Sequence, residues 1–143
     1  MKSVIILKST HKGNTKKIAL EINKVLKGKI VDAGKAKEND LQGIDLIGFG
    51  SGIYFGKHHK ELFNFIKNLK PVNNLKAFVF STSGNGKIEN HKKLNELLKE
   101  KDFKIVKEWS CKGFESFGPF KSNQGKPDEK DFKKAKEFAL SLK

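Results

Sequence analysis

The stretch that decides the fold is VIILKSTHKGNT, Val4–Thr15, in which an apolar run leads into a polar loop. The run Val4–Leu7 is continuous and apolar, which is typical of a strand buried on both faces of a parallel sheet. An amphipathic helical pattern begins near Asn14, and its apolar residues recur at helical spacing up to Leu26. The loop Ser9–Thr15 therefore joins the end of a strand to the start of a helix.

The composition of this loop favours the binding of an anion. The first N–H groups of a helix lack intrahelical partners, and the helix dipole adds partial positive charge at that end. Hydroxyl donors stand at Ser9, Thr10 and Thr15, and Gly13 lets the backbone approach a ligand because it has no Cβ. A nucleoside-triphosphate P-loop is excluded because Lys12 precedes the glycine instead of following it. From this segment alone, a plain strand-to-helix turn with capping residues is the alternative.

Length and cysteine content bound the class of protein. The 143 residues fit one domain, 1–143, that is large enough to fold without disulfides or a structural metal. Cys111 is the only cysteine, so the chain has no internal disulfide, no redox cysteine pair and no cysteine-based zinc cluster. No apolar run approaches the ~20 residues that a membrane span needs. We expect a soluble, cytoplasmic protein.

The strongly basic charge raises nucleic acid or an anionic membrane as a partner, but its pattern argues against both. All 30 basic residues are lysines, against 16 acidic residues, for a net charge of +14. Arginine, the residue best suited to bidentate phosphate and guanine contacts, is absent from the sequence. The lysines are spread along the chain on the outer faces of the predicted helices. This distribution favours a solvated surface over a nucleic-acid interface.

Strands and helices alternate along the whole chain. Further strands are predicted at Lys29–Asp32, Ile44–Gly50, Lys76–Phe80 and Phe103–Trp109, further helices around 62–69, 94–98 and 128–142, and a loop at Gly113–Lys126. This alternation predicts an open parallel sheet with helices on both faces. Ligands of such sheets bind at the carboxyl ends of the strands, where the strand order reverses. The loops after strands one, three and four would meet there, and a flat, phosphorylated aromatic ligand fits their composition best.

The pattern resembles the flavodoxin family over Val4–Leu142, and most closely its short-chain branch. The loop Thr10–Thr15 is similar to the family's phosphate-binding signature, with threonine, glycine, asparagine and threonine in matching places. The stretches Gly50–Gly56 and Ser81–Gly86 are similar to the two loops that flank the flavin. The resemblance implies a three-layer α/β sandwich whose five-stranded parallel sheet has the order 2-1-3-4-5, non-covalent FMN, and one-electron transfer as the function.

The resemblance also implies a role for each loop. The first loop binds the phosphate, Tyr54 stacks on the flavin ring, and the peptide Phe55-Gly56 lies where family members turn a carbonyl toward the flavin on reduction. The loop after strand four offers backbone N–H groups to the pyrimidine end of the ring. No catalytic residue or metal ligand is assigned. The implied cofactor-binding residues are Ser9, Thr10, His11, Lys12, Gly13, Asn14, Thr15, Ser51, Gly52, Ile53, Tyr54, Phe55, Gly56, Ser81, Thr82, Ser83, Gly84, Asn85 and Gly86.

Two departures from the family pattern bear on function. Asn85 stands where many members stack an aromatic residue on the second face of the flavin. An open ring face gives the first alternative, an FMN-dependent reductase that uses a nicotinamide nucleotide or a quinone. The net positive charge is the reverse of that of acidic family carriers, so we expect a monomer whose redox partners present acidic docking surfaces. The second alternative is a basic module that binds nucleic acid or a membrane surface, although we expect neither DNA nor a membrane as partner.

Single residues outside these loops are interpreted without a catalytic role. The pair His58-His59 is predicted to be a helix entry, because adjacent side chains converge poorly on a metal. We expect His91 at the surface, Cys111 as a buried apolar residue, and Trp109 as a packing aromatic. Sequence spacing locates no Ser-His-Asp set and no carboxylate pair.

Overall fold

The computed structural model describes residues 1–10, 13–117 and 120–143, and its elements alternate as predicted. The predicted phosphate ligands His11 and Lys12 lie outside the described residues. The strands are β1 Ser3–Lys8, β2 Lys29–Asp32, β3 Leu46–Tyr54, β4 Lys57–His58, β5 Lys76–Ser83, β6 Lys104–Lys112, β7 Glu115–Phe117 and β8 Phe120–Ser122. The α-helices are α1 Asn14–Leu26, α2 Lys60–Lys67, α3 Lys92–Glu100 and α4 Glu129–Ser141, and short 3₁₀ helices span Glu38–Leu41 and Ile88–His91.

Five parallel strands form the main sheet in the order β2-β1-β3-β5-β6. Counted among the parallel strands alone, this order is 2-1-3-4-5, which confirms the prediction. The order reverses between β1 and β3, which pair directly with Ile5 opposite Gly48. The crevice for a ligand of such a sheet therefore lies above the carboxyl ends of these two strands.

Alternate residues of the strands supply two apolar layers, one on each face of the sheet. Ile6, Phe49 and Val79 are fully buried on the face that packs against α2 and α3. Ile5 and Phe78 are fully buried on the opposite face, against α1 and α4. Because successive side chains of a strand point to opposite faces, continuous apolar runs are needed to fill both layers.

Several strands extend beyond their predicted ends, and two of them run into segments predicted as loops. Strand β3 continues through Ser51–Tyr54, and β5 continues through Ser81–Ser83, although both segments are predicted as loops. The short strand β4 pairs with the end of β3 in an antiparallel hairpin, and β6 pairs with β5 as far as Ser83. These backbone partners outweigh the weak strand propensity of glycine and serine. The predicted loop Gly113–Lys126 likewise contains a separate two-stranded hairpin, β7–β8.

Each α-helix buries one face and leaves the other exposed. Within the described ranges, no helix is long and apolar enough to cross a membrane.

Candidate functional site

Ser9, Thr10 and Gly13, the described residues of the first loop, form hydrogen bonds with one another and with the first turn of α1. Gly13 is the residue that precedes the helix, and its φ of 67° lies in the left-handed region that favours glycine. Its N–H donates to the carbonyl of Thr10 at 2.8 Å, and its own carbonyl accepts from the N–H of Lys17 at 3.0 Å. The Ser9 hydroxyl accepts from the N–H of Lys16 at 3.2 Å. The Ser9 hydroxyl and the first N–H groups of α1 therefore lie close together, a set of donors that suits an anion.

Side chains at the start of α1 connect this loop to the ends of two other strands. The buried hydroxyls of Thr15 and Thr82, the latter near the end of β5, share a hydrogen bond of 2.8 Å. The amide of Asn14 donates to the carbonyl of Phe114, which follows β6, at 3.0 Å. The predicted meeting of the first loop with the end of β5 is therefore present.

The tip of the β3–β4 hairpin carries the two aromatic residues of the first predicted ring-flanking loop. Phe55 and Gly56 have φ of 53° and 77°, and they lie between the paired residues Tyr54 and Lys57. Positive φ at both central residues is what a two-residue type I′ turn requires. Phe55 is an uncommon residue for this conformation, and its side chain is 104% exposed. The positive φ and full exposure of this aromatic side chain favour a binding role for the hairpin tip.

Tyr54 is held differently from its neighbour. Its hydroxyl donates to the Thr10 hydroxyl of the first loop at 3.1 Å. Its ring meets the ring of His59 edge-on, with 5.2 Å between the centroids. Tyr54 therefore connects the hairpin to the first loop, whereas the ring of Phe55 is open to solvent.

Polar side chains fix the shape of the loop after β5. The Asn85 side-chain oxygen accepts from the N–H of Lys87 at 3.0 Å and from the amide of Asn90 at 2.8 Å. The N–H of Gly86 donates to the Ser83 hydroxyl at 2.9 Å. The side chain of Asn85 is therefore engaged within its own loop.

A buried polar cluster lies beneath these loops, and it corrects the placement of His91, which is 0% exposed and not at the surface. Nδ1 of His91 lies 2.8 Å from a carboxylate oxygen of Glu108, and Nε2 lies 2.7 Å from the Ser81 hydroxyl. Because a carboxylate only accepts, Nδ1 carries the proton and Nε2 accepts from Ser81. Burial lowers the pKa of His91, so the ring is neutral at pH 7.

His58 belongs to the same cluster. It lies in β4 and faces the core, whereas the predicted helix entry is formed by His59 alone, whose Nδ1 accepts from the N–H of Glu61 at 3.0 Å. Nε2 of His58 donates to the carbonyl of Phe80 at 3.0 Å, and its ring centroid lies 4.9 Å from that of His91. Burial, followed by the neighbouring His91, lowers the pKa of His58 to about 3.

This cluster is the feature that sequence reasoning missed. His91, Leu94 and Leu98 are all fully buried and recur at helical spacing, so the apolar stripe of α3 extends back to His91. This helical spacing is the feature of the sequence that indicates the burial of His91. Ser81, His91 and Glu108 are connected as in a hydrolase triad, but Ser81 is 0% exposed, so no substrate reaches its hydroxyl. The cluster is structural, not hydrolytic.

The predictions for Cys111 and Trp109 are confirmed. Cys111 is buried, and burial raises the pKa of its thiol to about 12, which keeps it protonated and unreactive. The ring of Trp109 stacks on that of Phe138, with 6.3 Å between the centroids. Among the described residues, no group of three or more histidine, cysteine, aspartate or glutamate side chains is placed to hold a metal ion.

Comparisons with known proteins agree with this architecture. The chain is 46% identical to the uncharacterized protein MJ0298 of Methanocaldococcus jannaschii over 148 residues, which cover 99% of this chain and 98% of the relative. Its fold matches a flavodoxin from the domain Archaea with a TM-score of 0.77 at 17% identity, over 99% of this chain and 96% of that one. It matches oxidised flavodoxin 2 of Bacillus cereus with a TM-score of 0.76 at 21% identity, over 99% and 97%. The family model described as a flavodoxin domain matches residues 5–119, and the chain therefore belongs to the flavodoxin family.

Proposed function

We propose that this protein binds FMN without a covalent bond and carries electrons one at a time between redox proteins. The observation that carries the proposal is the convergence of the loops at the strand-order reversal. The Tyr54 hydroxyl joins the hairpin to Thr10, and the Thr15 hydroxyl joins the first loop to Thr82. Membership of the flavodoxin family and the likeness to solved flavodoxins support the same ligand.

The phosphate end of the ligand fits the first loop. The hydroxyls of Ser9, Thr10 and Thr15 and the N-terminal N–H groups of α1 supply donors for phosphate oxygens. Gly13 has open space where a Cβ would stand, so the backbone is accessible there. His11 and Lys12 complete the predicted set. These groups bind and orient the ligand, while the flavin supplies the redox chemistry when bound.

The ring end fits between the hairpin tip and the loop after β5. Tyr54 is the predicted stacking residue, and we propose that the exposed ring of Phe55 adds the larger free aromatic surface at the same tip. The peptide between Phe55 and Gly56 lies at the turn, where both residues have positive φ. Backbone donors of Gly84 and Asn85 would meet the polar end of the ring, whereas the N–H of Gly86 is engaged by the Ser83 hydroxyl and helps to fix the shape of the loop.

One observation favours the alternative function of an FMN-dependent reductase. The side-chain oxygen of Asn85 is engaged with Lys87 and Asn90, so this residue does not cover a ring face as an aromatic residue would. An uncovered face is where a nicotinamide or quinone could reach the flavin. Stopped-flow mixing of the FMN-loaded protein with NADH or NADPH separates the two functions. Fast bleaching of the flavin without an added reductase would overturn the carrier proposal.

Charge around the loops indicates the kind of partner. Lys57, Lys87, Lys112 and Lys121 are exposed, and within the described ranges none of them forms an ion pair. We propose a redox partner with an acidic docking surface, because opposite potentials steer association. Neither nucleic acid nor a membrane is part of this proposal.

Flavin fluorescence tests the binding proposal. We expect FMN to be quenched at one equivalent and to bind more tightly than riboflavin, because only FMN engages the phosphate loop. Ser9→Ala should reduce this preference, whereas the control Ser122→Ala, at an exposed residue of β8, should not. Equal affinity for FMN and riboflavin in the wild-type protein would remove the phosphate assignment.

A further inference from the structure

The buried cluster of Ser81, His58 and His91 lies where both proposed ring-flanking segments begin or end. Ser81 is the first residue of the proposed ring-binding segment of β5, and His91 ends the 3₁₀ helix that follows the loop. The hydrogen bond of 2.7 Å between them therefore closes the segment 82–90 at its base. His58 is the second residue after the hairpin turn at Phe55-Gly56, so its position fixes the other segment.

The hydrogen bonds of the cluster have one consistent arrangement. Glu108 of β6 accepts from Nδ1 of His91, and it also accepts from the amide of Asn95 in α3 at 2.8 Å. This leaves Nε2 of His91 to accept from the Ser81 hydroxyl. The Glu108 carboxylate therefore fixes the direction of both hydrogen bonds of the His91 ring: Nδ1 donates to Glu108 in β6, and Nε2 accepts from Ser81 in β5.

The two histidines connect the hairpin to the loop. Their ring centroids lie 4.9 Å apart, and both side chains are fully buried. His58 is also anchored to β5 by its hydrogen bond to the carbonyl of Phe80, the residue before Ser81. The hairpin is thus anchored to Phe80 through His58, and the loop after β5 is anchored to the next residue, Ser81, through His91.

We propose that His91 and His58 form a brace that sets the distance between the hairpin tip 53–58 and the loop 82–90, and so the width of the slot for the flavin ring. This inference rests on the proposed function. On this model His91 is a positioning residue that acts through Ser81 and His58 and touches no ligand. Its loss should weaken the binding of the ring and leave the binding of the phosphate group unchanged.

Successive side chains of β5 point to opposite faces of the sheet, which separates the brace from the proposed phosphate loop. Ser81 and Thr82 point to opposite faces of β5, so Ser81 reaches His91 while Thr82 reaches Thr15 of α1. The two hydroxyls therefore serve different ends of the ligand. Variants at His91 and at Thr15 can be distinguished by which part of FMN they affect.

The test compares His91→Gln, Ser81→Ala and the control Glu96→Gln, which lies on the exposed side of α3. Amide hydrogen exchange of the flavin-free proteins is measured first. His91→Gln should speed exchange about tenfold in both 53–58 and 82–90, because glutamine does not reproduce both bonds of the ring nitrogens and removes the ring contact with His58. Ser81→Ala should speed exchange in 82–90 alone, and Glu96→Gln in neither.

Ligand affinity is measured next, with riboflavin as the probe of the ring and FMN as the probe of ring and phosphate together. His91→Gln should raise the Kd of riboflavin and of FMN by the same factor, about tenfold, so that their ratio is unchanged. A changed ratio, or unchanged affinity with unchanged exchange, would overturn the brace while leaving FMN binding intact. If the wild-type protein binds no flavin, the proposed function fails, and the exchange data still decide whether the brace exists. If His91→Gln does not fold, Ser81→Ala decides, since it deletes only the hydroxyl bonded to His91: faster exchange in 82–90 would support the brace, and unchanged exchange there would overturn it.

Discussion

The hydroxyls of Thr15 and Thr82 share a buried hydrogen bond of 2.8 Å, which joins the first turn of α1 to the carboxyl end of β5. The two residues are 67 positions apart in the sequence. This bond brings the proposed phosphate loop and the proposed ring-binding segment into direct contact. It is also the simplest contact of the site to test in the absence of any ligand.

Thr82→Val should lower the free energy of unfolding by about 1–2 kcal/mol, because it leaves the buried Thr15 hydroxyl without this partner. The double variant Thr15→Val/Thr82→Val should recover most of the loss, since valine matches the shape of threonine and no polar group is left unpaired. Urea unfolding of the flavin-free proteins measures both effects. Losses that simply add in the double variant would show that the two hydroxyls do not interact.

Phe55→Gly should weaken riboflavin binding about three- to tenfold, because it deletes the exposed ring proposed to lie against the flavin. The unfolding free energy should not fall, and we expect a gain of up to about 1 kcal/mol. Glycine adopts positive φ without strain, and the exposed Phe55 ring contributes little burial.

Lys27→Gly is the matched control for this change. Lys27 follows α1 with a φ of 56° and is exposed, so glycine relieves the same backbone strain away from the site. We expect stabilisation without any effect on flavin affinity. Phe55→Trp should retain ring binding. Unchanged riboflavin affinity in Phe55→Gly would remove Phe55 from the site.

Acid should destabilise the protein through its buried histidines. The pKa of His58 is lowered from 6.5 to about 3 in the folded state, so the unfolded chain binds more protons between these values. Stability is therefore fully present above pH 6.5 and is lost as the pH falls below it. At pH 5 the titration of His58 should lower the free energy of unfolding by about 2 kcal/mol.

Urea unfolding at pH 7.5 and pH 5 measures this loss, with His58→Gln as the comparison. The variant should be less stable at pH 7.5 and should lose about 2 kcal/mol less than the wild type on acidification. His91, whose pKa is also lowered, adds a loss in the same direction that both proteins retain. An identical pH dependence in the two proteins would contradict the assignment to His58.

Ionic strength should reveal the charge of the redox partner. Electron transfer from the reduced protein to an acidic acceptor protein should slow as salt rises from about 0.01 to 0.5 M, because screening removes the attraction. Transfer to a basic cytochrome should become faster over the same range. Replacing Lys57 and Lys87 by glutamate lowers the net charge from +14 to +10 and should weaken both trends. Rates that are independent of salt would contradict the proposed docking surface.

Periodicity was sufficient to predict the sheet and its layers, because continuous apolar runs such as Val4–Leu7 can be buried only between two helix layers. It was insufficient where partners decide the structure. The two-residue strand β4 has no periodicity of its own, so the extension of β3 through Tyr54 was not predicted. Hydroxyl-rich composition indicated which loops meet, but it could not pair Thr15 with Thr82.

The burial of His91 and its hydrogen bond to Glu108 were also not predicted from the sequence. The lysine-rich composition around His91 favours a surface position for this histidine. Only its helical spacing with the buried residues Leu94 and Leu98 indicates burial. Its partner Glu108 lies in a different strand, so the bond between them depends on the strand order. Contacts of this kind follow from the fold and not from the local sequence.

The most direct test of the central claim is an anaerobic reductive titration of the protein reconstituted with FMN, followed by its visible spectrum. We predict a bound-flavin spectrum that differs from that of free FMN, followed by two separate one-electron steps. Reduction in a single two-electron step would contradict the carrier function and favour the reductase. A spectrum identical to that of free FMN throughout would contradict the flavin site itself.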